Sequence, residues 1–587
     1  METIPALLEQ RLRAAVEDPG DIPLRITSAS DSRFGDYQAN AAMLLAKQRR
    51  QNPRVVALEI LDRLKVDDIC SSVEIAGAGF LNFRLRPEWV QARVEMLRLD
   101  AHLGVPVPER PKCIVIDFSS PNVAKPMHVG HIRSTILGDS LAKIAEFIGH
   151  KVVRDNHIGD WGTQFGMLLV GWKTVLDRAA LERDPLLEME RIYKDVSARC
   201  REDATVLESA RQELVKLQSG DAENLGLWRE MIRLSQSQFD TIYGRLGVRF
   251  DVTLGESFYN ERLHPVVEEL RARQIARASD GAMCVFTDGS LPQEQDPFLI
   301  KDKDGWRDNP AIVLKSDGAA NYTTTDLATL QYRLETWHPD EIVYVTDGRQ
   351  QLHFRQMFSV FQRWMPEAAA SVRLSHVWFG SILGDDGKPF KTRSGETVRL
   401  ADLLDEAEER SFAQVSERNP ALPEAERREI ARVIGLGAVK YADLLPHRQG
   451  DYTFSWDRML SFQGNTAPYL QNAYVRIQSI FRKLAEAGSE RILGAALLLE
   501  HPAEVALGKR LLEFGEVLPM VLEDHRPNTL ANYLYELANT FHAFYEACPV
   551  LKSEGAQRAS RLELCEISAR MLKTGLGLLG IEVPERM

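Results

Sequence analysis

Paired cysteines, long apolar runs and an excess of positive charge are all missing from this 587-residue chain. Its six cysteines (Cys70, Cys113, Cys200, Cys284, Cys548 and Cys565) are scattered, with no C-x-x-C pair. That argues against both a zinc ribbon and a disulfide framework, and for reduced, mainly buried thiols. No run of about 20 apolar residues could span a bilayer, so no membrane partner is expected. The opening METIPALLEQRLRAAVEDPGD sets acidic residues in an amphipathic helical pattern and lacks the apolar stretch of a signal peptide; the expected location is cytoplasmic. Internal repeats and low-complexity tracts are absent too. A formal net charge of -12 excludes a uniformly basic nucleic-acid binder, yet not a basic face, since net charge reports solubility more than site chemistry.

What is present suits a multidomain enzyme. The composition, 44% hydrophobic and 27% charged, can bury large cores, and the length suggests three or four domains. Residues 1–110 read as an N-terminal unit and linker: an amphipathic helix, GDYQANAAMLLAK at 35–47, a strand–turn–strand pattern in SVEIAGAGFLNFRLR, then proline-punctuated VPVPERPK. Residues 111–400 open with a βαβ pattern of the doubly wound type, which binds ligands at the carboxyl ends of its strands. Within them, about 165–310 changes to long charged helices, such as 191–217 and 223–245, and reads as an insertion. Residues 401–455 read as a helical connecting segment and 456–587 as a helical unit opening on GNTAPYLQNAYVRIQSIFRKL.

The densest information lies in SSPNVAKPMHVGHIRSTILGD, residues 119–139. The stretch before it, from Cys113, is β-branched and apolar enough for a strand buried on both faces. After it Ile132, Ile136, Leu137, Leu141, Ile144 and Ile148 recur at helical spacing until Gly149. His128 and His131 therefore sit at a helix start, beside its unpaired N–H groups and positive dipole end, where a polyphosphate binds well. Gly130 is expected to leave room between the imidazoles for close approach of a ligand. An isolated H-V-G-H would equally suit a zinc site or two structural histidines.

The flanking residues resemble the HIGH signature of class I aminoacyl-tRNA synthetases, and SPNVAKPMHVGHIRSTILGD is specifically similar to that of the arginyl-tRNA synthetases. The resemblance runs from GDYQAN to the closing GIEVPERM. It implies a Rossmann-type catalytic domain with an insertion, between an N-terminal α+β domain that meets the tRNA elbow and a C-terminal all-α anticodon domain. The implied reaction joins L-arginine to tRNA(Arg) through arginyl-adenylate, consuming ATP with Mg2+ and releasing AMP and pyrophosphate. Neither protein-bound zinc nor another metal site is implied, and a monomer is expected.

Roles follow residue by residue. His128, Gly130 and His131 are implied at ATP, with the two histidines catalytic. The family's second signature, KMSKS, is eroded here to Gly387-Lys-Pro-Phe-Lys-Thr-Arg-Ser394. Thr392 or Arg393 stands where the second lysine is expected, so Lys388 and Lys391 are the candidates for phosphate, and Lys125 resembles the lysine that compensates. A planar guanidinium calls for a carboxylate and an aromatic wall. Tyr322 and Asp326 are four apart, on one face if helical, and match the arginine pair, although by composition alone they would suit a capping and packing pair. Asp117, Ser119, Asn122, His128 and Gln350 are implied around the same amino acid, with Gln351 adjacent, and Trp161 and Gln164 of DNHIGDWGTQFG near the cleft. For tRNA, Phe80 and Asn82 would read a D-loop base by stacking and hydrogen bonds. Tyr469, Tyr545 and Met587 would meet the anticodon, with Asn472 departing from the usual Tyr.

Two other readings stay open at this stage. Another HxGH nucleotidyl transferase would need neither terminal unit. A synthetase-derived RNA-binding protein without catalysis is opposed by intact Lys125, His128, Gly130, His131 and Asp326.

Overall fold

The computed structural model describes residues 1–587 except 18, 30, 392–396 and 489–493, and the side chain of 32. At its centre lies a five-stranded parallel sheet in the spatial order Arg373–His376, Glu341–Tyr344, Cys113–Asp117, Lys151–Asn156, Val252–Thr253. The chain order reverses beside Cys113–Asp117, and this switch point opens a crevice at the carboxyl ends of the strands. Alternation along the central strands sorts their side chains onto two cores. Ile114, Ile116 and Val343 join the larger one, while Val115, Val153, Ile342 and Tyr344 join a second one under the insertion.

The N-terminal unit is a four-stranded antiparallel sheet ordered Ile26–Ser28, Tyr37–Ala39, Phe80–Leu85, Cys70–Ala76, backed by helices. Helix Pro87–Leu99 leads from it to the linker. The region read as an insertion departs from the sequence pattern twice. Its first long helix is two, Pro185–Glu202 and Ala204–Gln218, because Asp203 leaves the helix and its carboxylate caps the second through the Thr205 amide at 2.8 Å. And it returns strand Val252–Thr253 to the catalytic sheet, so it is not wholly external. A small antiparallel sheet, Ala276–Ser279, Ala282–Val285 and Ala311–Leu314, covers the second core.

Beyond Leu400 the chain is almost entirely helical. Among the described residues the exception is strand Tyr452–Thr453, which pairs parallel with Ile382–Leu383, the strand that precedes the KMSKS-like segment. The larger core runs without interruption through the N-terminal sheet, the helix after the HVGH segment and the C-terminal helices. No helix among the described residues is long and apolar enough to cross a membrane. Four of the six cysteines are buried and two partly so, with no disulfide among the described residues.

Candidate active site and nucleic-acid surfaces

Two carboxylates end the central strands at the switch point. Asp117 accepts a bond from Arg333 Nη2 at 2.6 Å, and Asp155 one from the same atom at 2.8 Å. Burial opposes the Arg333 charge, but the two carboxylates outweigh it and hold the guanidinium charged. Burial pushes the Asp155 carboxyl up, against the attraction of Arg333. The other Asp117 oxygen accepts from Ser120 Oγ at 3.0 Å. Both oxygens are thus already engaged within the protein.

The following loop takes three non-glycine residues through left-handed backbone: Ser119 (φ 71°), Ser120 (φ 48°) and Ala124 (φ 63°). Such conformations cost about 1–3 kcal/mol each and persist only when over-determined. Here the Ser119 amide donates to Ser134 Oγ (2.9 Å), the Ser120 amide to Asn156 Oδ1 (3.1 Å) and the Ala124 amide to Ser235 Oγ (3.0 Å). Ser119 Oγ is bonded to Tyr243 and Thr135 and is buried. It is a strut of the loop. Asn122 remains exposed.

The loop delivers His128 as the N-cap of helix Val129–Ile148. The His128 amide donates to His131 Nδ1 at 3.0 Å, and the Gly130 amide to His128 Nδ1 at 3.1 Å. Both Nδ1 atoms accept, so each neutral ring carries its proton on Nε2. Burial, then the neighbouring His128, pushes His131 down to about 3. Burial, then Arg349, also lowers His128. Two neutral N–H donors thus stand at a helix N-terminus, their ring centroids 4.0 Å apart. The room expected over Gly130 is not free: a Cβ there would lie 2.8 Å from His128 Cε1, so the glycine accommodates the His128 ring. Lys125 is exposed, with Nζ 5.1 Å from the centre of the Tyr193 ring, and its charge adds to the field that lowers His128.

Lys388 and Lys391 are exposed on the segment after Ile382–Leu383. Thr392 and Arg393 lie outside the described residues. The far end of that segment returns to the histidines: the Val129 amide donates to the Val398 carbonyl and the Leu400 amide to that of Met127, each at 2.9 Å. No sequence motif announces this tie.

Helix Tyr322–Trp337 starts on the same side of the sheet, with Tyr322 exposed at its first turn. Asp326 Oδ2 is 2.5 Å from His353 Nε2. Burial would lower His353, but the bond and charge of Asp326 raise it. Sequence reasoning missed the next residue, Glu256, in the region read as insertion. Burial, then Asp326 and Asp160, raises its carboxyl to about 8. The negative charge of Asp326 is felt at Glu256, a field that suits a guanidinium. Gln350 is exposed, whereas Gln351 spends its amide on the Gly348 carbonyl at 3.0 Å. Trp161 packs edge-on against Trp228, and Gln164 bonds back to the Trp161 carbonyl at 3.4 Å.

On strand Phe80–Leu85, Leu81, Phe83 and Leu85 enter the core, while on the opposite face Phe80 is half-buried and Asn82 is buried. Asn82 Oδ1 is buried without a partner among the described residues. In the C-terminal unit a cleft of about 500 Å³ is lined by Asn472, Arg476, Lys483, Tyr545, Arg586 and Met587. The tail reaches it because Gln471 Nε2 holds the Glu582 carbonyl (2.8 Å) and Arg482 Nη1 that of Glu585 (2.9 Å). Tyr469 lies outside the cleft, its hydroxyl bonded to Asn539 and His542 at 2.7 and 2.9 Å.

Comparison with known proteins matches all three parts of the chain. Residues 94–456 match tRNA synthetases class I (R), catalytic domain; residues 2–85 match the arginyl tRNA synthetase N terminal domain; residues 470–587 match the DALR anticodon binding domain. The arginine–tRNA ligases of Laribacter hongkongensis and Chromobacterium violaceum are 47% and 46% identical over the full length of both chains. Among solved structures, the arginyl-tRNA synthetase of Plasmodium falciparum superposes with a TM-score of 0.83 at 28% identity, and that of Thermus thermophilus with 0.82 at 27%, each covering both chains entirely.

Proposed function

This chain belongs to the arginyl-tRNA synthetases, and from that premise we propose which of its residues carry out the family's reaction. The reaction is the ATP-dependent attachment of L-arginine to tRNA(Arg) through arginyl-adenylate, with release of AMP and pyrophosphate. In the first step a carboxylate oxygen of arginine attacks the α-phosphorus and pyrophosphate leaves. In the second a ribose hydroxyl of the tRNA attacks the acyl carbon and AMP leaves.

His128 and His131 present their Nε2–H groups to the phosphates, where charge gathers in the transition state. Lys125, Lys388 and Lys391 supply cations, and Mg2+ arrives on the phosphates of ATP. Asp326 and Glu256 take the guanidinium, Tyr322 forms its wall, and Asn122 and Gln350 orient the amino acid. Asp117 and Ser119 act one step back, shaping the loop through Arg333, Ser120 and Tyr243 rather than touching arginine. Phe80 and Asn82 meet the tRNA elbow; Asn472, Tyr545 and Met587 meet the anticodon, with Tyr469 supporting the helix packing behind them. The protein works in the cytoplasm as a monomer with no resident zinc.

Two histidine rings that accept backbone amides at a helix start, so that each keeps Nε2–H as a donor, together with the negative field that Asp326 sets at Glu256, are the observations that carry this reading. A screen of amino acids in an aminoacylation assay tests it. Arginine alone should be charged, and only when ATP and tRNA(Arg) are present.

A further inference from the structure

The Gly35-Asp36-Tyr37 triplet touches none of the sites above. Gly35 adopts φ 121°, and a Cβ there would lie 2.7 Å from the Phe83 carbonyl oxygen, so only glycine brings the chain this close to strand Phe80–Leu85. That approach positions Asp36. Its amide donates to the Phe83 carbonyl at 2.7 Å, and its carboxylate accepts from the Leu85 amide at 2.7 Å. The same carboxylate receives Lys509 Nζ on both oxygens, at 2.7 and 2.8 Å. Tyr37 is buried and donates its hydroxyl to Glu516 Oε1 at 2.8 Å.

Lys509 and Glu516 belong to C-terminal helices Pro502–Leu512 and Phe514–Asp524. The first of these is fixed in turn to helix Asn528–Ala547, where Tyr533 donates to the Arg510 carbonyl at 2.8 Å. That helix also carries Tyr545, which lines the anticodon-side cleft. A second attachment lies beside the clamp. Glu95 and Gln91 of helix Pro87–Leu99 accept from the Leu497 and Leu499 amides at 3.1 Å each, and Val90 and Val94 pack on Gly508. The polar cluster at Asp36 and Tyr37, beside strand Phe80–Leu85, adds a second point of attachment between the sheet and the C-terminal helices.

We propose that Asp36, Tyr37, Lys509 and Glu516 form a clamp that holds the N-terminal sheet at a set distance from the C-terminal cleft, making the two units a ruler for the span between elbow and anticodon of a tRNA. The proposal rests on the reading of both surfaces as tRNA contacts. Rigid connection raises the effective concentration of the second contact only for an RNA whose geometry lets both engage. All four are positioning residues, remote from the reacting atoms.

The test compares the wild type with the double variant Tyr37→Phe/Lys509→Met, with Tyr37→Phe alone and with Lys509→Arg. Each is assayed for aminoacylation of a tRNA(Arg) transcript and of one carrying an extra base pair in its anticodon stem. The wild type should disfavour the longer transcript by about tenfold or more in kcat/KM, and the double variant by about threefold, because a loosened link relaxes the geometric requirement. On the normal transcript the double variant should show a raised KM and an unchanged kcat. Tyr37→Phe, which removes one oxygen, should move the same way by less, and Lys509→Arg should keep the wild-type ratio. A double variant that rejects the longer transcript as strongly as the wild type overturns the ruler, as does a wild type that accepts both alike. A lowered kcat with the ratio unchanged would mark a merely structural role and overturn it too. A wild type strict on length but blind to D-loop base changes would remove the base reading by Phe80 and Asn82 and leave the ruler standing.

Discussion

At the scale of single residues, the proposed arginine pocket is a problem in charge. Asp326 already holds His353 at 2.5 Å, and Glu256 sits with its carboxyl raised to about 8. Replacing Asp326 by Asn should cost roughly 2–5 kcal/mol in arginine kcat/KM, the usual penalty for leaving a desolvated charge unpaired. Steady-state charging at varied arginine checks this, and a near-normal KM and rate would reject the assignment. Glu256 gives a pH signature. In the free enzyme it is mostly protonated below about 8, and a guanidinium favours its ionised form, so arginine binding must expel a proton. The arginine KM should therefore fall as pH rises towards 8 and level off above it. Calorimetry in buffers of different ionisation enthalpy should register the released proton, and Glu256→Gln should abolish both the release and the slope.

At the scale of elements, the proposed catalytic groups sit on a helix start and a loop that share backbone bonds. Helix Val129–Ile148 presents the histidines, and the Val398 carbonyl ties the end of the KMSKS-like segment to the Val129 amide. Loss of one preorganised donor in His131→Ala should lower kcat by about 100-fold or more. With the second KMSKS lysine replaced, the ATP loop is expected to be complete only once tRNA docks. Arginine-dependent pyrophosphate exchange by RNA-free protein should then require added tRNA(Arg); equal exchange with and without it would sink the idea. Lys125→Ala should depress exchange to a similar degree as His131→Ala if Lys125 compensates, and normal exchange would dismiss that role alone.

For the whole molecule, the net charge of -12 coexists with a cleft that gathers Arg476, Arg482, Lys483 and Arg586. tRNA affinity should fall steeply with salt, and Arg476→Met and Lys483→Met should each flatten the slope of log affinity against log salt by about one unit if each meets a phosphate. A flat salt profile of the wild type would reject the cleft as an RNA surface. Removing residues 1–84 to isolate the elbow contribution would strip Asp36 and Tyr37 from Lys509 and Glu516 and open a shared core. Phe80→Ala and Asn82→Ala are the cleaner variants. They should raise the tRNA KM and leave the arginine KM unchanged in steady-state charging.

Much of the catalytic centre was legible in the residues because its parts are local. A β-branched run, a tight loop and a helical period place His128 and His131 at a helix start within one βαβ unit, and the four-residue spacing of Tyr322 and Asp326 needs only helical geometry. The resemblance carried the domain order, since its motifs are spread along the chain. The remainder depends on contacts between distant segments. Glu256 feels the charge of Asp326 only because a strand returns from the insertion to the parallel sheet. Asp117 and Ser119 are consumed by Arg333 and Tyr243, over separations of 216 and 124 residues, and Asp36 finds Lys509 across 473. Periodicity along a chain specifies which face of an element is apolar, whereas burial, charge pairing and pKa depend on whatever other element packs there. The sequence by itself therefore determined most of the elements, the histidine pair and the reaction class, and the tertiary structure decided which partners the buried carboxylates take and how the N-terminal sheet and the C-terminal helices are held together.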